Sequence, residues 1–365
     1  MARIVLAPDS FKGSAPAHTA SAAIAQGWAA VRPDDEVVQL PMADGGEGTI
    51  DAFAAAYSTA RRMPVTVIGP DDRPVDADWL LLPDGAGVVE LAIASGITLL
   101  DPLQPFDAHT LGFGQLIDSA LDHGVSRLLL AIGGSSSTDG GAGALTALGA
   151  QLLDAAGDPV PLGNRGLASV ATVDLSGLRS LPAGGALVLS DVTSPLLGAG
   201  GAAAVFGPQK GAASGDIPVL DANLARFAAL VAGDPSVAGA GAAGGAGFGL
   251  LVWGAAVAPG AAAVGDALGM PAAVASAALV ITGEGRFDEQ SSAGKVPSYL
   301  LGLGSRAGVD VALVAGLIEA PTGTFTEAIS LTELAGSGAA ARADAERWLI
   351  AAGTELARRF TARRA

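Results

Sequence analysis

Short apolar runs rich in β-branched residues, each stopping at Gly, Ser or Asp, alternate along this chain with Ala-rich stretches of helical character. That alternation admits few folds, because strand followed by helix is the pattern of βα units closing on a mostly parallel sheet. Strands are expected at Arg3–Ala7, Glu36–Leu40, Val88–Ile93, Arg127–Ile132, Ala186–Ser190, Ala278–Thr282 and Asp310–Ala315. Helices are expected at Ala15–Val31, Gly48–Ala56, Gly112–His123, Gly141–Leu153, Asp221–Val231 and Ala341–Thr361. The last carries Trp348, Leu349, Ala352, Leu356 and Phe360 along one side and Arg pairs near its end, which suits a docked terminal helix.

One segment breaks the alternation. Pro64–Ile68 and Ala77–Leu82 are extended runs around Gly69-Pro70-Asp71-Asp72-Arg73-Pro74, which predicts an antiparallel hairpin and a change of domain. Plain βα pattern returns near the end. The expectation is therefore a discontinuous α/β domain, residues 1–75 plus 290–365, carrying an inserted mixed α/β domain, residues 76–289. A chain of 365 residues exceeds the usual single core of about 100 to 200 residues, which fits two domains.

Composition removes several classes of function. With 36 acids against 20 Lys and Arg, and a net charge of −16, the chain lacks the basic face that nucleic acid requires. There is no cysteine, hence no disulfide, thiolate nucleophile or thiolate metal site, and the three histidines do not make a histidine-rich metal site. His18 reads as a helix-surface residue, His123 as a helix-end residue, and His109 is undecided. The 52 glycines follow no three-residue period and belong to loops. The N-terminus turns polar at Asp9, too early for a signal peptide, and the uncharged stretch from Pro235 to Gly265 is mostly Gly and Ala, so no membrane span is expected. The expected location is cytoplasmic, and a homodimer is compatible with the sequence.

Lysine placement is more informative. The chain has only Lys12, Lys210 and Lys295, each beside a glycine in a loop-like motif: Ser10-Phe11-Lys12-Gly13, Gln209-Lys210-Gly211 and Ala293-Gly294-Lys295. An acidic protein that binds an anion must supply positive charge locally. In an open α/β sheet, ligands bind beyond the carboxyl ends of the strands. The residues there are uniform: Asp9-Ser10-Phe11-Lys12, Asp44-Gly45-Gly46-Glu47-Gly48-Thr49, Gly133–Gly141, Asp191–Leu196, and Gly283-Glu284-Gly285-Arg286-Phe287-Asp288.

The Gly133–Gly141 loop is the best phosphate cradle, since its glycines let backbone N–H groups approach an anion and a helix starting at Gly141 would point its positive end there. No Walker A spacing and no convincing GxGxxG fingerprint occur, which disfavours P-loop and nicotinamide enzymes. Serine hydrolysis lacks a Gly-x-Ser-x-Gly elbow. Phosphoryl transfer needs held phosphates, a divalent cation on oxygen ligands and a carboxylate for the acceptor's proton. Asp191, after an apolar run and before a Pro-stopped turn, is the sharpest such acid, with an Asx turn as its structural alternative. Asp9, Asp44, Glu47, Asp139, Glu284 and Asp288 can each serve instead as helix caps.

At these residues the chain resembles the type I glycerate kinase family, nearly end to end. The blocks are Ala7–Ser14, Ala43–Thr49, Gly133–Gly143, Asp191–Leu196, Phe206–Ala212, Gly241–Gly245 and Ile281–Asp288, in order. The resemblance implies ATP- and Mg²⁺-dependent phosphorylation of D-glycerate, usually at the 2-hydroxyl, with a flavodoxin-like parallel-sheet domain, a second mixed domain and a cleft between them. The departures touch loops. Two asparagines of the family pattern are replaced by hydroxyl residues, Thr138 and Ser194, and the stretch His109–Gln115 differs more widely.

On this reading Asp9, Ser10, Lys12, Arg286 and Asp288 bind the acceptor, with Lys12 and Arg286 on its carboxylate. Gly133, Gly134, Ser135, Ser136, Ser137, Asp139 and Lys210 hold the nucleotide. Asp191 is base or metal ligand, and Asp44 is a second ligand to Mg²⁺. The catalytic set is Asp191, Lys12 and Arg286. Two rivals remain: a kinase for another small hydroxy acid, and a non-catalytic sugar-acid sensor on the same fold.

Overall fold

The computed structural model describes residues 1–289 and 295–364. Among the described residues thirteen strands form in chain order: β1 (Arg3–Pro8), β2 (Glu36–Gln39), β3 (Arg61–Ile68), β4 (Pro74–Leu81), β5 (Gly87–Glu90), β6 (Leu128–Ala131), β7 (Gln151–Leu153), β8 (Thr172–Asp174), β9 (Ala186–Leu189), β10 (Ala256–Ala258), β11 (Leu279–Phe287), β12 (Val311–Ile318) and β13 (Glu327–Ser330). Chain contacts divide them between two compact units, residues 1–44, 51–58 and 259–365, and residues 45–50 and 59–258.

The first unit is built on a parallel sheet with spatial order β13-β12-β11-β1-β2. Renumbered within the unit, this is the 2-1-3-4-5 order of flavodoxin-like sheets, whose switch point lies between the first and third strands, here β1 and β11. Ile4, Leu6, Ile281, Ala312 and Val314 fill the sheet's contribution to one core. Helices Ala17–Ala29 and Ala345–Arg364 cover that face and pack closely. Their contact depends on two glycines: a Cβ on Gly27 would lie 2.0 Å from the Ile350 carbonyl, and one on Gly353 would lie 2.3 Å from that of Ile24. Trp28 is buried beside them, donating from Nε1 to Asp35 at 3.2 Å and meeting Phe360 at 5.4 Å.

The second unit holds a mixed sheet, β10-β9-β6-β5-β4-β3, parallel from β10 to β5 and antiparallel through β4 and β3. β3 and β4 form the expected hairpin, with Ile68 opposite Pro74 and Asp72 in the left-handed region at φ 67°. This hairpin is the edge of the second sheet, so that, apart from the Gly45–Ile50 segment, the contacts pass to the second unit between Ser58 and Thr59, where the expectation had a crossing near residue 75. The crossing expected near residue 290 lies outside the described residues; the contacts change unit between Ala258 and Pro259, because helices Gly260–Ala267 and Met270–Ala275 pack on helix Val296–Ala307 of the first unit.

Three further differences from the sequence reading have local causes. The helix expected over Gly141–Leu153 stops at Ala147, because Gly149 takes φ 107° with its Cβ position 2.3 Å from the Gly177 carbonyl; β7 then pairs with β8. The strand expected over Val88–Ile93 ends at Glu90, and Leu91–Ser95 is helical. The strand expected to end at Thr282 runs on to Phe287. Glycine makes that extension possible: a Cβ at Gly283 would sit 2.3 Å from the Val314 carbonyl, and one at Gly285 would sit 3.2 Å from the Lys12 amide.

Candidate active site

In the first unit the switch point opens into a cavity of about 600 Å³. β1 delivers Asp9, Ser10 and Lys12 to it, and β11 delivers Glu284, Arg286 and Asp288, so the five expected acceptor residues share one wall system. Asp44, expected as a metal ligand, lines the same cavity, as do Lys295 and Arg342. The Asp9–Lys12 turn is fixed by backbone: Asp9 N–H donates to the Gly283 carbonyl at 2.8 Å, Phe11 N–H to Ala15, and Ser10 N–H to the Asp9 carboxylate at 2.6 Å. Phe11 is 1% exposed and anchors the turn, which leaves Lys12 exposed at its tip.

The cavity's charges are unevenly committed. Arg286 is ion-paired with Glu319 and lies 3.6 Å from Asp288. Burial, reinforced by the nearby Asp44 and Glu284 carboxylates and opposed by the Ser10 amide and Lys12, pushes the Asp9 carboxyl up to about 8. A site that crowds carboxylates in this way suits a divalent cation. Among the described residues no group of three or more acids or histidines is arranged to hold a metal.

In the second unit the other expected residues gather at the carboxyl ends of the parallel strands. Gly133–Gly141 follows β6, Asp191 follows β9 and is half-buried, and Glu90 ends β5. The Gly45–Ile50 segment packs against them: Gly133 N–H donates to the Gly45 carbonyl at 3.1 Å, and a Cβ on Gly133 would lie 2.4 Å from the Gly46 Cα. Glu90, 3% exposed, accepts from Gly48 N–H at 3.0 Å and Ile50 N–H at 3.1 Å. Glu90 was hidden in the sequence because it falls inside an apolar run that looked like one continuous strand.

The glycine loop is held from within. Asp139 is fully buried and accepts from Thr110 N–H and Oγ1, Gly141 N–H and Gly143 N–H at 2.8 to 3.2 Å. Lys210 is 1% exposed and donates to Ser135 Oγ at 2.8 Å and to the Ser137 carbonyl. Burial pushes its pKa down to about 7, against the opposing pull of Asp139. The helix after the loop has only six residues, and the amides of its N-cap Gly141 and of Gly143 point at Asp139. Ser137 Oγ and Thr138 Oγ1 are buried with no hydrogen-bond partner among the described residues.

The departed stretch His109–Gln115 packs on the hairpin. His109 is buried, accepts from Leu111 N–H through Nδ1 and therefore presents Nε2–H to Asp72 at 3.2 Å, while Gln115 Oε1 accepts from Ile68 N–H at 2.7 Å. Thr110 of this stretch reaches the loop, donating from its N–H and Oγ1 to Asp139. His18 is exposed on its helix, and His123 ends its helix edge-on to Trp79. Ala293 and Gly294 of the third lysine motif lie outside the described residues.

The sequence model of the glycerate kinase family matches residues 4–361. The chain belongs to that family. It is 42% identical over 326 residues to the glycerate kinase of Bacillus subtilis (strain 168), covering 87% of this chain and 85% of that protein. The same identity, over 305 residues, relates it to the glycerate 2-kinase of Escherichia coli (strain K12), covering 81% and 80%. A crystal structure from Salmonella typhimurium LT2, named as a candidate glycerate kinase 2, superposes with a TM-score of 0.86 at 38% identity over 100% of this chain and 99% of that one. The resemblance, the α/β fold class and the reading as a kinase are thereby borne out. Among the described residues no helix is long and apolar enough to cross a membrane.

Proposed function

We propose that the protein transfers the γ-phosphoryl group of ATP to the 2-hydroxyl of D-glycerate, giving 2-phospho-D-glycerate and ADP. The observation that carries this is the switch-point cavity, which sets Lys12 and Arg286 beside Asp9, Asp44 and Glu284 in a chain of this family. Lys12, with Ser10, takes the acceptor carboxylate; Arg286, oriented by Glu319 and Asp288, supports it. The glycine loop holds nucleotide phosphates, with the Ser137 and Thr138 hydroxyls as donors in reserve. Lys210 serves the nucleotide by fixing the loop's shape from beneath.

In the transfer, the acceptor oxygen bonds to the γ-phosphorus as the bond to the β,γ-bridging oxygen breaks, and that electron pair leaves on ADP. The acceptor's proton goes to a carboxylate. Asp191 is one assignment, as base or as metal ligand. Asp9 is the second reading for the base, favoured by a pKa near 8 in the same cavity as Lys12, since a base works best near the operating pH. Asp44 and Asp191 are the residues offered to magnesium, which when bound neutralises charge on the phosphates.

Once the carboxylate is clamped, a displacement of about 1 Å decides which hydroxyl is in line with phosphorus, and the departed His109–Gln115 stretch is occupied with the hairpin. The acceptor clamp matches the family pattern, which favours the 2-position. Coupling the reaction to enolase without phosphoglycerate mutase tests this, because only the 2-phosphate feeds enolase. A signal that appears only after mutase is added would refute it. A sensor role would require no turnover at all.

A further inference from the structure

Of the three lysines, Lys210 is enclosed beneath the glycine loop and Lys12 serves the acceptor carboxylate, which leaves Lys295 without a role. It precedes helix Val296–Ala307, is half-buried, and lines the switch-point cavity with Lys12 and Arg286. Among the described residues its ammonium makes neither an ion pair nor a hydrogen bond, whereas Arg286 is tied to Glu319 and Asp288.

Four carboxylates, Asp9, Asp44, Glu284 and Asp288, share this cavity with four cations, Lys12, Arg286, Lys295 and Arg342, and among the described residues Arg286 is ion-paired while Lys12, Lys295 and Arg342 are not, which is more uncommitted cation than glycerate needs. A glycerate carboxylate carries one negative charge and is met by Lys12 with Arg286. The product carries that carboxylate and a phosphate dianion, so a cavity matched to the product requires at least one further cation on its wall. Lys295 is that cation, with Arg342 on the same wall and also without an ion pair among the described residues.

We propose that Lys295 is a catalytic residue that binds the phosphoryl group as it arrives on glycerate. This rests on the kinase reading above and names the group that the site's remaining charge recognises. No bond to Lys295 forms or breaks: the phosphoryl passes from the ADP oxygen to the 2-oxygen, and the ammonium donates hydrogen bonds to the transferred phosphate oxygens. Because charge on those oxygens is met only as transfer proceeds, the lysine acts on the transition state and product more than on bound glycerate.

The test uses the full chain and two truncations, Lys295→Met and Lys295→Gln, checked for folding by thermal unfolding, with Lys295→Arg as the conservative variant. The expected result is a kcat lower by about 100-fold and a Kd for 2-phospho-D-glycerate raised at least about tenfold, with the KM for D-glycerate within about threefold of wild type. Lys295→Arg should recover part of kcat. A raised KM for glycerate with unchanged 2-phospho-D-glycerate affinity would overturn the proposal, as would a normal kcat in both truncations. If wild type fails to turn over D-glycerate, calorimetry with inorganic phosphate separates the two readings. Binding lost in Lys295→Met would fault glycerate as acceptor and retain the anion site; equal or absent binding in both proteins would fault the lysine as well.

Discussion

The glycine loop of the second unit and the switch-point cavity of the first draw on the same residue types, glycine, serine, aspartate and lysine, and use them in opposite ways. In the loop the charges face inward. Lys210 and Asp139 are both buried: Lys210 donates to the loop's Ser135 hydroxyl and Ser137 carbonyl, and Asp139 accepts from Thr110, Gly141 and Gly143. In the cavity, Lys12 and Lys295 stand on an open wall, and among the described residues neither forms an ion pair. A charge buried with several partners shapes a backbone; a charge on a cavity wall without a protein partner is available to a ligand.

The sharpest way to break this contrast is to titrate it. Lys210 has its pKa lowered from 10.5 to about 7 by burial. Between those values the unfolded chain holds a proton that the folded chain has released, so this lysine makes stability rise with pH from about 7 to about 10.5, while below that window the cost of burying the charge is fully present and does not change with pH. Denaturant unfolding as a function of pH should show a rise in wild type that Lys210→Met lacks.

Chemistry gives the next largest effect. Asp191→Asn keeps the shape and loses the charge, and kcat should fall by at least about 100-fold with little change in melting temperature. A near-normal kcat with a collapsed rate in Asp9→Asn would transfer the base to Asp9. Lys12→Ala should raise the KM for glycerate at least about tenfold more than the KM for ATP, the size expected for losing a charge-assisted hydrogen bond. Equal changes in both KM values would erase the proposed division between cavity and loop.

Smaller still is Thr110→Val, which removes one of the donors to the buried Asp139 carboxylate and should cost about 1 to 3 kcal/mol of stability. Smallest is Asp72→Ala. Its partner His109 is buried but Asp72 is 80% exposed, so removing the pair should cost less than about 1 kcal/mol in unfolding experiments.

The parallel sheets, the hairpin and most strand ends were legible because apolar runs and turn residues carry strong local signals. So was the membership of the cavity: Asp9, Lys12, Arg286 and Asp288 each lie at a strand end, where βα topology places ligands. What the sequence could not show was direction. Lys210 and Asp139 look from their spacing like ligand contacts, yet whether a loop side chain turns inward depends on packing from distant segments, here Thr110 onto Asp139 and the Lys210 turn beneath Ser135. Glu90 was concealed by the apolar residues around it. The extension of β11 through Gly283 and Gly285 was missed because glycine ordinarily ends a strand, whereas here it admits the neighbouring backbones.

The most direct test of the account is the identity of the product. Purified protein, D-glycerate, ATP and Mg²⁺ should be followed by phosphorus NMR, with the new phosphomonoester compared against authentic 2- and 3-phospho-D-glycerate. 2-Phospho-D-glycerate should form in step with ADP. A 3-phosphate product would contradict the assigned geometry of the acceptor clamp, and ATP left unconsumed would contradict the kinase activity itself.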